Sequence, residues 1–325
     1  MAAPAPARRD AAAASLPGMV TVVEVGPRDG FQMERGLIPT ATKIALIEGM
    51  IEAGLRHFEA TSFVSPRAVP QLADAAEVIA ALRGRPGVQL TALVPNAKGA
   101  ARAAEAGVDA MVVFLSASDT HNRKNVNRPT EESLAGLAGI CRIAGDAGIP
   151  VQGAIATSFG CPFEGEVPHG RVVAIARQMA DLGIRTLSLG DTTGMATPPL
   201  VRGLCRALGE AVPEMAPTLH FHNTRGIGLA NVLAGLETGV TRYESSIGGL
   251  GGCPFAAGAT GNICTEDLVY LLDECGIESG VDLEKLIEVA HRVEAAIGRE
   301  LPGQVMKAGP RLRRHATGEV ATANG

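Results

Sequence analysis

Residues 186–222 read TLSLGDTTGMATPPLVRGLCRALGEAVPEMAPTLHFH, and the order of features within them sets the fold. A short apolar run, Thr186–Leu189, meets the polar turn Gly190-Asp191-Thr192-Thr193-Gly194. Pro198–Leu208 follows with the spacing of an amphipathic helix, and Thr218–His222 is a second short strand-like run. Strand, helix and strand joined by short links form one unit of a parallel sheet.

The same unit recurs on both sides. Strands are predicted at Thr21–Val25, His57–Thr61, Gln89–Val94, Ala110–Leu115, Val151–Ala156 and Arg242–Ser246, which brings the number to eight. Helical segments such as Thr40–Ala53, Glu131–Ala147, His169–Leu182 and Leu229–Thr238 lie between them. Eight such units predict an α/β fold of the (β/α)8 TIM-barrel type. A doubly wound sheet is the alternative, but no G-x-G-x-x-G follows the first strand. A helical pair, Thr265–Cys275 and Asp282–Gly298, is expected to flank the barrel. The expected barrel domain spans 19–302, between disordered tails at 1–18 and 303–325. The first tail is rich in Ala and Pro, and the second mixes Gly, Arg and Thr without periodicity.

Composition agrees with a barrel. The chain has 325 residues, and such a barrel takes about 250 as one domain. Aromatics make up 3% with no Trp, so branched aliphatics and Ala must fill the interior. The net charge of −5 argues against a nucleic-acid partner, and no apolar run is long enough to span a membrane. Six Cys in so long a chain read as reduced thiols of a cytoplasmic enzyme rather than a disulfide framework. Residues 1–18 lack the apolar stretch of a secretory signal, leaving a tail or a transit segment open.

The chemistry-bearing residues gather at strand ends. GPRDGFQ follows the first strand, SFVSP the second, GCPFEG the fifth, GDTTG the sixth and GGLGGCPF the eighth. This is the C-terminal mouth, where barrel enzymes carry their active sites. His220 and His222 alternate on one strand face, so both imidazoles point into the lumen and can share a metal. A structural or incidental pair is the competing reading of H-x-H alone. Asp29 offers a third ligand and Asn262 an amide oxygen, a set suited to octahedral Mg²⁺ or Mn²⁺. Arg28 is half of a buried ion pair, a surface residue, or a cation facing charge that develops during reaction. Glu59 and Asp191 end strands two and six, as partners of Arg28 or His220 or as catalytic carboxylates. Cys253 stands among the glycines of SIGGLGGCPFAAGATGN, where a mobile catalytic thiol is expected. For Cys161 packing is favoured, and for Cys141, Cys205, Cys264 and Cys275 the core.

Several long motifs, in order, give the chain a resemblance. VEVGPRDGFQME, FEATSFVSPRAVPQLAD, LVPNAKG, RKNVN, GCPFEG, SLGDTTG, HFHNTRG and GLGGCPFAAGATGN resemble hydroxymethylglutaryl-CoA lyases over most of residues 20–300. The resemblance implies retro-Claisen cleavage of 3-hydroxy-3-methylglutaryl-CoA to acetyl-CoA and acetoacetate with a divalent cation, Mg or Mn. It also implies Asp29, His220, His222 and Asn262 as metal ligands, Arg28 as stabiliser of the enolate, and Cys253 as a loop acid/base. Glu59 and Asp191 become active-site carboxylates. Gln32, Ala154 and the Arg123-Lys124 pair in the HNRKNVN loop are expected at the acyl-CoA substrate; for that pair a solvated surface is the equal alternative. A homodimer is the family expectation.

The chain departs from the animal enzymes at two places. Asn223-Thr224-Arg225-Gly226-Ile227 replaces Asp-Thr-Tyr-Gly-Gln, and Ala154 stands where those enzymes carry Tyr. Both leave the metal chemistry intact and open the acyl group to question. Citramalyl-CoA or a branched hydroxyglutaryl-CoA is the alternative substrate. A Claisen-condensing relative and a non-catalytic metal-binding barrel are the remaining rivals.

Overall fold

A computed structural model describes residues 16–252 and 261–314. Eight parallel strands close on themselves in sequence order. They are β1 (Thr21–Glu24), β2 (His57–Ser62), β3 (Gln89–Leu93), β4 (Ala110–Ser116), β5 (Val151–Ala156), β6 (Thr186–Asp191), β7 (Ala216–Phe221) and β8 (Arg242–Ser245). The first half carries α1 (Thr40–Glu52), α2 (Ala75–Leu82), α3 (Ala97–Ala106), α4 (Asp119–Val126) and α5 (Thr130–Asp146). Then come α6 (His169–Asp181), α7 (Pro198–Ala211), α8 (Gly228–Leu236), α9 (Thr265–Glu274), α10 (Leu283–Ile297) and the single turn α11 (Val305–Ala308). The TIM barrel with added C-terminal helices is the observed architecture.

Strands of a closed parallel barrel are covered on both faces, so they read as near-continuous apolar runs. Met111, Val113 and Leu115 of β4 are fully buried, as are Leu187 and Leu189 of β6 and Leu219 and Phe221 of β7. Buried Tyr243 ties β8 to α8 by donating its hydroxyl to the Val232 and Val240 carbonyls at 3.3 and 3.2 Å. β7 begins earlier than its apolar residues indicate, because register with β6 pairs Ala216 with Thr186. Its last expected residue, His222, instead makes an isolated bridge to Asn262.

Two stretches differ from the sequence expectation. HNRKNVN is helical rather than a loop: the Ser118 side chain caps α4 by accepting from His121 N, and Asn127 ends it at φ 56°. Caps, not apolar periodicity, define this helix. The packed body also runs past residue 302. Asp267 accepts the backbone N–H groups of Gln304 and Val305, and Val305 and Met306 are buried. A cap 37 residues upstream gives that Gly/Arg-rich stretch its order. At the other end, Leu16 packs against the core. Among the described residues no helix is long and apolar enough to cross a membrane.

Candidate active site and metal centre

A cavity of about 530 Å³ opens at the mouth of the barrel. Arg28, Asp29, Gln32, Glu59, His220 and His222 line it from one half; Phe114 and Ala154, register partners on β4 and β5, line it from the other.

The polar half is built on a single wide helical turn, Gly26–Gly30, directly after β1. Asp29 N and Arg28 N both return to the Val25 carbonyl, which throws the two side chains into the mouth. Buried Glu24 anchors this turn: its Oε1 accepts from Gly26 N at 2.7 Å and from Ile247 N at 2.9 Å. Its Oε2 takes the Thr265 hydroxyl at 2.7 Å. A side chain at Gly26 would place Cβ 2.6 Å from Glu24 Oε1, so the turn and its anchor require glycine.

Arg28 grips two carboxylates with one guanidinium. Nε donates to Glu59 Oε1 at 2.5 Å and Nη1 to Asp29 Oδ1 at 2.6 Å. The fixed fork holds both, which a lysine cannot reproduce. Asp29 Oδ1 also accepts from Gln32 Nε2 at 3.2 Å, and Oδ2 from Asn262 Nδ2 at 2.7 Å. On β7, His220 Nε2 and His222 Nε2 face each other 3.2 Å apart. Backbone bonds from Ile263 N to Phe221 O and from Asn223 N to Gly261 O lock the Asn262 segment beside the histidines. Gly251, at φ +109°, passes over this group; a Cβ there would sit 2.5 Å from Asn262 Nδ2.

The charges follow from this geometry. Burial works against the Asp29 carboxylate, but Arg28 and the two imidazoles outweigh it and hold it down to about 2. Burial also disfavours the Arg28 charge, yet Asp29 and Glu59 keep its pKa above the ordinary value. Burial pushes Glu59 up despite the guanidinium beside it. Asp191 is pushed up to about 7 by burial, against the N–H donors that favour its charge.

Asp29, His220 and His222 each offer one ligand atom, and these atoms lie within 4.8 Å of one another. Asn262 Oδ1 is buried with no partner among the described residues. An ionised carboxylate, two imidazole nitrogens and an unsatisfied amide oxygen fit a hard divalent cation. The residues present form a possible metal site.

The other expected residues separate. Ala154 lines the far wall. Asp191 is buried at the end of β6, where Oδ1 accepts from Met195 N and Ala196 N at 2.6 and 2.9 Å; Oδ2 has no partner among the described residues. Its Oδ1 thus braces the GDTTG turn, while His220 and Arg225 lie near enough to favour its charge. Arg123 is exposed on α4 and paired with Asp119, and Lys124 lies over the Phe163 ring at 5.0 Å. From the same helix, Asn125 and Val126 reach the cavity instead. Cys253 lies outside the described residues. Cys161 is buried, its thiol donating to Ser118 Oγ at 2.9 Å, in keeping with packing.

Two contributors escaped the sequence. Glu244 of β8 accepts from both His220 Nδ1 and Ser188 Oγ, at 2.9 and 2.8 Å. Glu24 carries the turn beneath Arg28. A charged residue inside a barrel strand was the available signal for each.

The HMGL-like family model matches residues 19–293. The chain belongs to the HMGL-like family. It is 44% identical to the mitochondrial hydroxymethylglutaryl-CoA lyase of Mus musculus over 294 residues, 90% of each chain. It is likewise 44% identical to a hydroxymethylglutaryl-CoA lyase of Bacillus subtilis, over 89% of this chain and 96% of that one. The solved structure of an HMG-CoA lyase from Acinetobacter baumannii, in complex with coenzyme A and 3-methylmalate, superposes with a TM-score of 0.87 at 43% identity. That match covers 92% of this chain and 98% of the other. The chain is thus a member of a family of carbon–carbon lyases.

Proposed function

We propose that the protein cleaves 3-hydroxy-3-methylglutaryl-CoA to acetyl-CoA and acetoacetate, with Mg²⁺ or Mn²⁺ held by Asp29, His220, His222 and Asn262. The convergence of those donors beside Arg28, at the mouth of an HMGL-like barrel, carries the reading.

The cation, when bound, supplies Lewis acidity toward the substrate oxygens. The chain's own groups do the rest. A base takes the proton of the C3 hydroxyl; the candidates are Asp191, raised to about 7 with Oδ2 unengaged among the described residues, a cavity-lining histidine, and Cys253. The C2–C3 bond then breaks, its electron pair passing to the thioester as an enolate while C3 becomes the ketone of acetoacetate. Arg28 is held by Glu59 and Asp29 where it can face that charge without reorganising. Cys253 is assigned the return of a proton to C2 by its motif. Gln32, which lines the cavity, is assigned to the acyl group, and Arg123 and Lys124, beside the cavity-lining Asn125 and Val126 on α4, are assigned to the CoA phosphates. A homodimer and a cytoplasmic location belong to the same proposal; the first rests on the resemblance, the second on reading the six Cys as reduced thiols.

A second substrate class has an observation in its favour. The wall opposite the metal ligands is apolar and carries the small Ala154 beside Phe114, leaving space for a C3 substituent longer than methyl. Incubating the Mn²⁺-loaded protein with 3-hydroxy-3-methylglutaryl-CoA, citramalyl-CoA and a longer 3-alkyl homologue, with products read by mass spectrometry, decides between the two. Equal rates of acetyl-CoA and acetoacetate release from the first substrate, at the highest kcat/KM, support the primary reading. Cleavage only of another member of the panel replaces it.

A further inference from the structure

An imidazole that ligates through Nε2 must keep its other proton on Nδ1, and the group accepting that proton fixes the ring. His220 Nε2 is the atom facing His222 Nε2, so its Nδ1 points away from the cation site. There it meets Glu244 Oε2 at 2.9 Å. A carboxylate only accepts, so this contact selects the Nδ1–H tautomer. Glu244 is itself restrained: the same Oε2 accepts the Ser188 hydroxyl at 2.8 Å. His220 and Glu244 are register partners across β7 and β8, and Ser188 reaches in from β6, so three adjacent strands hold the arrangement. The side chains of His220 and Glu244 are only 12% and 15% exposed, leaving little water to compete for either group.

We infer that Glu244 is a positioning residue, which fixes the tautomer and ring angle of His220 so that Nε2 is presented to the divalent cation, with Ser188 holding the carboxylate in place. The inference rests on the metal reading proposed above. It does not depend on which acyl-CoA is cleaved. A Glu244 that served only the packing of the barrel would affect melting and leave the metal affinity of the folded protein unchanged.

Titration of chelator-stripped, full-length protein with Mn²⁺, following free Mn²⁺ by electron paramagnetic resonance, separates the two roles. Glu244→Gln keeps the side-chain shape but loses the acceptor-only carboxylate, and its Mn²⁺ dissociation constant is expected to rise about 10- to 100-fold. Ser188→Ala removes one restraint at little risk to the fold and is expected to weaken Mn²⁺ severalfold. Turnover of both variants should recover toward the unaltered rate at saturating Mn²⁺. Folded Glu244→Gln and Ser188→Ala proteins that bind Mn²⁺ within twofold of the unaltered chain would overturn the inference. Failure of the unaltered chain to bind Mn²⁺ would overturn the metal reading and this inference with it.

Discussion

Asn262 donates Nδ2 to Asp29 Oδ2 at 2.7 Å, while its Oδ1 lies buried with no partner among the described residues. An unpartnered buried carbonyl costs about 1–3 kcal/mol, so a fold that keeps one must gain elsewhere. The divalent cation proposed above, held by Asn262, Asp29 and the two histidines, would offset that cost.

Metal binding is accordingly expected to raise stability. At a hundredfold excess of Mn²⁺ over Kd the gain is about 2.7 kcal/mol, read as a rise of the melting temperature over chelated protein. Asn262→Ala should lose most of that rise while melting close to the unaltered chain in chelator. An Asn262→Ala protein with the full Mn²⁺-induced shift would remove Asn262 from the ligand set.

Arg28→Met is expected to lower kcat by roughly 10²–10³ with a small change in KM, because the guanidinium meets its charge mainly in the transition state. Arg28→Lys should not restore the rate, since one ammonium cannot replace the fork that spans Glu59 and Asp29. Steady-state kinetics of both variants check this. A KM effect with kcat unchanged would make Arg28 a substrate anchor.

The two buried carboxyls under the mouth predict a pH dependence of stability. Burial raises Glu24 from 4.5 to about 7, and Glu266, which accepts Gly248 N, from 4.5 to about 8. The native state thus holds protons that the unfolded chain releases above about 4.5. Their stabilising contribution is complete below that pH and is lost as pH rises through about 7 to 8. Melting temperature in chelator should fall from pH 5 toward pH 8.5, and Glu24→Gln should make the decline shallower. An identical slope in the two proteins would contradict the assignment.

Much of this was legible in the chain itself. Most strands were readable as short apolar or β-branched runs that end in polar turns, and the glycine-bearing turns after the first and sixth carry Arg28, Asp29 and Asp191. The H-x-H spacing placed His220 and His222 on one face without further information. Partnership was not legible. Glu244 meets His220 only through the β7–β8 register, and register depends on closure of the whole barrel. For the same reason the sequence left Asp191 open between pairing and catalysis and did not show that its Oδ1 accepts from its own turn. The helix α4 was hidden because its order comes from Ser118 and Asn127 at its ends.

Ala154→Tyr should narrow acyl selectivity toward the methyl substrate, since a ring on β5 would fill the space beside Phe114. The ratio of kcat/KM for 3-hydroxy-3-methylglutaryl-CoA over a longer 3-alkyl homologue is the measurement. A ratio unchanged by the substitution would show that the acyl substituent lies elsewhere.

The most direct test of a metal-dependent lyase is the cleavage of 3-hydroxy-3-methylglutaryl-CoA by protein stripped with chelator and then restored with Mn²⁺. The account predicts that acetyl-CoA and acetoacetate appear in equal amounts, that both cease in excess chelator, and that both return with Mn²⁺ in the unaltered chain but not in His220→Ala. Undiminished cleavage in excess chelator, or no cleavage by the metal-loaded protein, would contradict it.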